Sequence, residues 1–260
     1  MNVLEKEIIV VLKELKEKYG VFEIKAEFEA EGSRMEEILR LKDVTSTVPL
    51  PIILKIGGVE AITDMYNCLG IGVKGIVAPM AETAYALSKF LNAIKNFVPE
   101  DNAADIDFAF NLETITAYEN FDKMLELPDL NLITGMTIGR VDLTGSMNKG
   151  RSYIDSDEVF EICETAFKKA KENNIKTGLG GGISTNSIEF IKRLKEMAVL
   201  DKFETRKVVF QADSIKYGEE AILKAVEFEL LWLKSKRRYY HRIKAEDESR
   251  IPMLEKRLNR

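Results

Sequence analysis

The chain has 260 residues, 45% of them hydrophobic and 31% charged, with a formal net charge of −5. That is long for one ordinary domain but normal for a single α/β barrel, and it is enough to bury a full core. The acidic balance argues against a nucleic-acid binder, and two cysteines without CxxC spacing argue against a disulfide framework or a zinc site.

Residues 3–19 place Leu4, Ile8, Val11, Leu12 and Leu15 on one face, which predicts an amphipathic helix. Its charges, and an apolar run of only Ile8 to Leu12, speak against a secretory leader or a membrane span, so a cytoplasmic location is expected. Val21 to Phe28 reads as a strand. Ser33 with Glu36 three residues on predicts a capping box that opens a helix through Leu41. Pro51 to Ile56 is a short apolar strand closed by Gly57-Gly58, followed by a helix from Val59 to about Leu69. Gly75 to Ala78 is the next strand. Further strands are predicted at 106–112, 130–138, 175–180 and 207–211, and helices at 82–97, 116–126, 157–173, 185–198 and 218–240.

This alternation of strand and helix predicts a TIM-type (β/α)8 barrel with a buried parallel sheet. Seven strands can be located; either an eighth is hidden in the N-terminal segment or the barrel is irregular, with the first strand as the irregular place. Residues 1–226 are assigned to the barrel and 227–260 to a C-terminal helical extension. That extension carries Trp232 and a basic cluster of Lys234, Lys236, Arg237 and Arg238, then the acidic Glu246-Asp247-Glu248. Its apolar residues predict packing against another subunit, hence a homo-oligomer. The basic run reads as a solvated face, with no nucleic-acid or membrane partner.

Barrel active sites lie at the carboxyl ends of the strands. Reading those ends gives Lys25, Glu27 and Glu29 on the first strand, Lys55 on the second, and Pro79 with Glu82 after the third. The fourth gives Glu113, the fifth Gly139, Arg140, Val141 and Asp142, the sixth Gly180-Gly181-Gly182 with Ser184, and the last Gln211 and Asp213. Charged groups at the inner ends of apolar strands are costly unless paired or used. Two carboxylates on neighbouring strands, Glu113 and Asp142, predict a hard divalent cation, since Mg²⁺ is commonly held by one or two carboxylates plus substrate oxygens. Lys25, Lys55 and Arg140 are candidates for an anionic substrate, and the backbone at Gly139, Val141 and Asp142 for its carboxylate. The structural alternatives are rim salt bridges for the lysines and carboxylates, and a tight turn for the glycines. The single histidine, His241, lies outside the barrel, which argues against a catalytic triad or a histidine base. Proton transfer then falls to Glu, Lys, Tyr or metal-bound water.

Three blocks resemble the HpcH/HpaI aldolase and citrate lyase β-subunit family of the phosphoenolpyruvate/pyruvate barrel superfamily. They are GVKGIVAPMAETAYALSKF (72–90), NLETITAYENF (111–121) and GMTIGRVDLTGSM (135–147). The second is similar to the family's Q-x-E-T glutamate motif and the third to its I-G-x-x-D-L-[ST] motif. The resemblance spans roughly residues 20–215. It implies Glu113 and Asp142 as ligands of Mg²⁺ or Mn²⁺, and the Gly139 to Asp142 loop as the seat of the pyruvate carboxylate. The chain departs from the family at three places. Glu29-Ala30 stands where the aldolases have an E-H pair, Lys55 stands for an arginine, and Arg140 replaces a frequent proline. The implied activity is a metal-dependent carbon–carbon lyase or aldolase acting on a 2-oxo acid, with an aldehyde as second reactant. In it Lys55 and Arg140 stabilise developing charge, and Lys25, Glu27 or Glu29 moves the proton. Schiff-base chemistry at Lys25 or Lys55, and a catalytically silent ligand-binding or assembly subunit, are the alternatives.

Overall fold

The computed structural model describes residues 1–258. Eight strands close into one barrel in sequence order. They are β1 (Val21–Glu27), β2 (Ile52–Lys55), β3 (Gly75–Ala78), β4 (Asp107–Leu112), β5 (Gly135–Gly139), β6 (Lys176–Gly180), β7 (Lys202–Glu204) and β8 (Val208–Gln211). Around them run α1 (Val3–Glu17), α2 (Met35–Ser46), α3 (Ile62–Ile71), α4 (Ala84–Phe97), α5 (Glu100–Asp105), α6 (Ile115–Glu119), α7 (Phe121–Leu125), α8 (Arg140–Ser146), α9 (Asp157–Glu172), α10 (Ile188–Glu196) and α11 (Gly218–Leu258).

Local chemistry sets several of these boundaries. At the start of α1 the Asn2 side chain accepts the Glu5 N–H at 3.0 Å and the Glu5 carboxylate accepts the Asn2 N–H at 2.7 Å, a reciprocal cap. The predicted box at Ser33 lies one residue further on, where the Arg34 N–H donates to Glu37 at 3.1 Å. Thr83 and Ser156 cap α4 and α9 through their hydroxyls. Helix α3 stops at Gly72, whose φ of +68° suits a residue without a Cβ. The segment 130–134, predicted as strand, is instead a short 3-10 turn (Leu130–Leu132) leading into β5.

Along the strands, side chains alternate between two faces. In β5, Met136 and Ile138 are buried in the core while Thr137 and Gly139 line the barrel mouth. In β1, Ile24 and Ala26 are core while Lys25 and Glu27 face inward. The apolar core therefore lies mainly between the sheet and the helices, and the upper barrel interior is polar.

Strands β1 through β7 are parallel neighbour to neighbour. Strand β8 is antiparallel to both β7 and β1. This corrects the expected position of the irregularity: the eighth strand is β7, at 202–204, and the departure from an all-parallel barrel is at the last strand rather than the first. The reason is chain length. A parallel connection needs a crossover of about a dozen residues, whereas Thr205, Arg206 and Lys207 alone separate β7 from β8. They close a tight turn in which the Thr205 N–H donates to the Val208 carbonyl at 3.0 Å.

Reversing β8 moves its end to the other rim. Phe210 pairs with Val21 at the beginning of β1, and the Gln211 N–H donates to the Gly20 carbonyl at 3.4 Å. Gln211 and Asp213, placed at the mouth by sequence, are therefore at the opposite end, where Asp213 meets Lys195 at 3.0 Å on the surface.

From that lower rim α11 climbs the outside of the barrel antiparallel to α1. Glu220 meets Lys18 at 3.4 Å, Lys224 meets Glu14 at 3.1 Å, and Ser235 accepts from Asn2 at 3.1 Å. Ala221, Ile222, Ala225, Phe228 and Trp232 bury this face. The helix passes 226–227 without a break, and its contact with the barrel continues to Tyr240, whose hydroxyl donates to Glu37 at 2.5 Å. Side chains from His241 to Leu258 are exposed. No described helix is long and apolar enough to cross a membrane. Both cysteines are buried and unpaired, and burial pushes each thiol up to about 12.

Candidate functional site

The carboxyl ends of the parallel strands surround a cavity of about 710 Å³. One side is built by β1, β2 and the β7–β8 turn. Lys25 Nζ lies 2.6 Å from Glu204 and 3.2 Å from Glu27. Lys55 Nζ lies 2.6 Å from Glu29 and 3.9 Å from Glu27. Arg206 reaches Glu31 at 3.2 Å and Glu27 at 3.7 Å, and Lys207 pairs with Glu31. Burial by itself would lower the Lys25 pKa, but the fields of Glu204 and Glu27 outweigh it and hold the ammonium above its ordinary value. These ion pairs favour the charged ammonium, which counts against Lys25 as a Schiff-base nucleophile. Burial likewise works to raise Glu27, yet Lys25, Lys55 and Arg206 bring it below the usual carboxylate range. Glu27 is 2% exposed, and its Oε2 has no hydrogen-bond partner.

The facing side is built by β4, β5 and α8. Glu113, 2% exposed, follows β4; its Oε1 accepts the Met80 N–H at 3.1 Å and its Oε2 the Asn111 amide at 3.0 Å. Gly139 lets it lie there: a Cβ at that position would stand 2.6 Å from Glu113 Oε2. Burial is the main force raising the Glu113 carboxyl, with a smaller push from Asp142; Lys55, the Met80 N–H and Asn111 oppose it. Asp142, in the first turn of α8, is exposed and lines the same cavity. This carboxylate pair therefore faces one space, with Lys55 as the cation acting most strongly on its buried member.

Arg140 is corrected. It is fully buried and turned away from the mouth. Its guanidinium donates to the Gly180 carbonyl at 3.2 Å, the Ile154 carbonyl at 3.3 Å and Ser187 Oγ at 3.2 Å, pairs with Asp155, and lies 4.8 Å over the Phe190 ring. The cause is helical geometry. Two residues along an α-helix turn through about 200°, so a helix that aims Asp142 into the cavity aims Arg140 outward. Gly180 to Gly182 form a tight turn packed on this helix start. At Gly181, φ is +74° and a Cβ would stand 2.3 Å from the Arg140 nitrogen. Pro79, Glu82 and Ser184 do not line the cavity, whereas Gly139 and Val141 do.

Sequence reading missed Glu204, Thr205 and Arg206 because it missed β7, and missed Arg151, Glu229 and Lys236, which reach the mouth from a loop and from α11. No periodic signal was available for the first three, because β7 is three residues long with two of them charged, and the connection Thr205-Arg206-Lys207 has no turn glycine.

Among the described residues no group of three or more His, Cys, Asp or Glu side chains gathers as a metal cluster. The donor set at Glu113 and Asp142 fits a hard divalent cation of the Mg²⁺ kind, which keeps water or substrate oxygens in its remaining positions.

No protein-family model and no curated protein matches the sequence. Solved structures do match in fold. An HpcH/HpaI aldolase from Desulfitobacterium hafniense DCB-2 is similar over 76% of this chain and 81% of its own, with a TM-score of 0.60 and 14% identity. The citrate synthase SbnG is similar over 89% of each chain, with a TM-score of 0.62 and 13% identity. An HpcH/HpaI aldolase/citrate lyase family protein from Burkholderia cenocepacia J2315 is similar over 88% of this chain and 90% of its own, with a TM-score of 0.60 and 13% identity. The chain thus has the barrel fold of the family that its sequence blocks resemble.

Proposed function

We propose that the protein is a divalent-metal-dependent carbon–carbon lyase or aldolase that acts on a 2-oxo acid, with an aldehyde as the second reactant. The observation that carries this reading is the buried Glu113 and, on the same side, Asp142, both lining a cavity that is net acidic, with seven carboxylates and five cations among its lining residues. Such a mouth repels an anionic acid unless a further cation is present, and Glu113 and Asp142 are the residues that would hold Mg²⁺ or Mn²⁺. When bound, the ion supplies Lewis-acid polarisation of the substrate's oxo oxygen.

The chain's own residues supply the rest. Lys55, whose field already acts on Glu113, stabilises negative charge that develops at the oxo oxygen. Glu29 holds the Lys55 ammonium at 2.6 Å and so fixes its direction. Glu27, held as a carboxylate by Lys25, Lys55 and Arg206, accepts the hydroxyl proton of the aldol adduct as the carbon–carbon bond breaks, and returns it to the methylene carbon. Lys25 stays charged throughout and positions Glu27 and Glu204 rather than reacting. Gly139 and Val141 line the place nearest the carboxylate pair, where the substrate carboxylate would sit. The apolar stripe of Leu223, Val226, Leu230 and Leu233, half exposed on α11, is the surface through which a homo-oligomer would form.

The experiment is Mn²⁺ binding followed by electron paramagnetic resonance, together with an aldol-cleavage screen, on the wild type, Glu113→Gln and Asp142→Asn. Both substitutions should weaken Mn²⁺ binding and abolish turnover. Wild-type Mn²⁺ affinity and turnover in both variants would contradict the reading.

A further inference from the structure

Three cations surround Glu27, and each of them lies nearer to a different carboxylate. Lys25 Nζ is 3.2 Å from Glu27 but 2.6 Å from Glu204, to which it donates its hydrogen bond. Lys55 Nζ is 3.9 Å from Glu27 but 2.6 Å from Glu29. Arg206 is 3.7 Å from Glu27 but 3.2 Å from Glu31, which also takes Lys207. Glu27 is thus the second partner of all three, although it is the most deeply buried of these four carboxylates.

The strands build this sharing. Lys25 and Glu27 are two residues apart on β1, so they stand on the same face. Glu204 ends β7, is buried, and meets Lys25 across the barrel interior. Gly180 on β6 leaves it room, since a Cβ there would stand 3.3 Å from both Glu204 Cγ and Oε1. A carboxylate becomes a weaker base as a cation closes on it and a stronger one beside like charge. Glu204 acts in the second sense twice. Its own charge lies beside Glu27, and its hydrogen bond draws the nearest ammonium away. Glu229 on α11 adds like charge from the other side.

We propose that Glu204 is a positioning residue for proton transfer: by holding Lys25 off Glu27, it keeps Glu27 basic enough to take a proton from the carbon beside the oxo group. The inference rests on the reading of Glu27 as the base of a 2-oxo acid enzyme, and adds the residue that sets the strength of that base. With pyruvate bound, Glu27 removes a methyl proton, and the electron pair of the C–H bond passes into the enolate. In D₂O the carboxyl group exchanges that proton for a deuteron and returns it to the same carbon, so deuterium enters the methyl group without net reaction.

The test follows loss of the pyruvate methyl signal by proton NMR, in D₂O with Mg²⁺, on the full chain. Glutamine at 204 keeps the shape and an acceptor for Lys25 but removes the charge. Glu204→Gln should slow exchange about tenfold, the effect of weakening a general base by one to two pH units. Glu204→Asp, which keeps the charge, should recover much of the rate. Glu31→Gln frees Arg206 in the same way and should slow exchange by a smaller factor. Mn²⁺ affinity should stay at the wild-type value in all three, and Glu27→Gln should stop exchange. Wild-type exchange in Glu204→Gln, or a rate in Glu204→Asp as low as in Glu204→Gln, would overturn the role of Glu204 and leave the oxo-acid reading standing. Where Glu204→Gln loses Mn²⁺ binding as well, Glu31→Gln decides on the same terms. Exchange that survives in Glu27→Gln, or no exchange in the wild type, would overturn both the inference and the base it rests on.

Discussion

The two sides of the barrel mouth use the same residue types to opposite ends. On the side of β1, β2 and the β7–β8 turn, each of these carboxylates has a cation close by: Glu27 and Glu204 share Lys25, Glu29 takes Lys55, and Glu31 takes Arg206 and Lys207. On the side of β4, β5 and α8, Glu113 and Asp142 face the cavity together, held by neutral donors and by the field of Lys55 rather than by an ion pair of their own. A paired charge is part of the architecture, while an under-neutralised pair is prepared to receive a cation. Proximity to the mouth therefore does not by itself make a charged residue reactive; how completely the protein has already neutralised it matters more.

The comparison breaks most severely if its paired side is cut. Lys25→Met should leave Glu27 and Glu204 buried without their shared partner and cost about 3–5 kcal/mol of stability, read from urea denaturation. Next in size is Lys55→Met, which removes the cation beside the oxo oxygen. Turnover in the aldol-cleavage assay should fall by about 10²–10³, while Lys25→Arg, a charge-preserving change on the same side, should retain substantially more.

Some of this division was legible in the sequence. Glu113 and Asp142 stood at the ends of apolar runs, so the strand-end rule placed them at one mouth. Lys25, Glu27 and Lys55 were found in the same way, by alternation along short strands. What the sequence hid was direction. Arg140 lies two residues from Asp142, but the turn of α8 sends it to Asp155 and Gly180 behind the site. Strand β7 is three residues long and two of them are charged, so it carried no periodic signal. With β7 unseen, β8 was read as parallel, and Gln211 and Asp213 were put at the wrong rim.

The open side should respond with the other sign. In metal-free protein Glu113→Gln removes a buried charge while keeping shape, and Asn111 can turn its amide to match; stability should rise by about 1–2 kcal/mol. Added Mg²⁺ at a hundredfold excess over its dissociation constant should then stabilise the wild type by about 2.7 kcal/mol and the variant hardly at all. Thermal melts with and without the ion check both statements.

The smallest effect sharpens the comparison from inside the barrel. Glu23 lies 3.7 Å from Lys202, and its buried Oε2 lacks a hydrogen bond. Burial raises its pKa above the ordinary 4.5, with Lys202 opposing. From 4.5 up to its folded value the native state binds more protons than the unfolded chain, so stability contributed by this group is lost as pH rises through that window. Glu23→Gln should flatten that part of the pH profile and add about 1 kcal/mol at neutral pH, read from denaturation midpoints on either side of the window.

The central claim is that Glu113 and Asp142 form an under-neutralised pair awaiting a divalent cation that in turn receives a 2-oxo acid. Isothermal titration of metal-stripped protein with pyruvate, in the presence and absence of Mg²⁺ or Mn²⁺, tests it most directly. Binding that appears only with the ion, and disappears in Asp142→Asn, is the predicted result; pyruvate binding of equal strength without any metal would contradict the account.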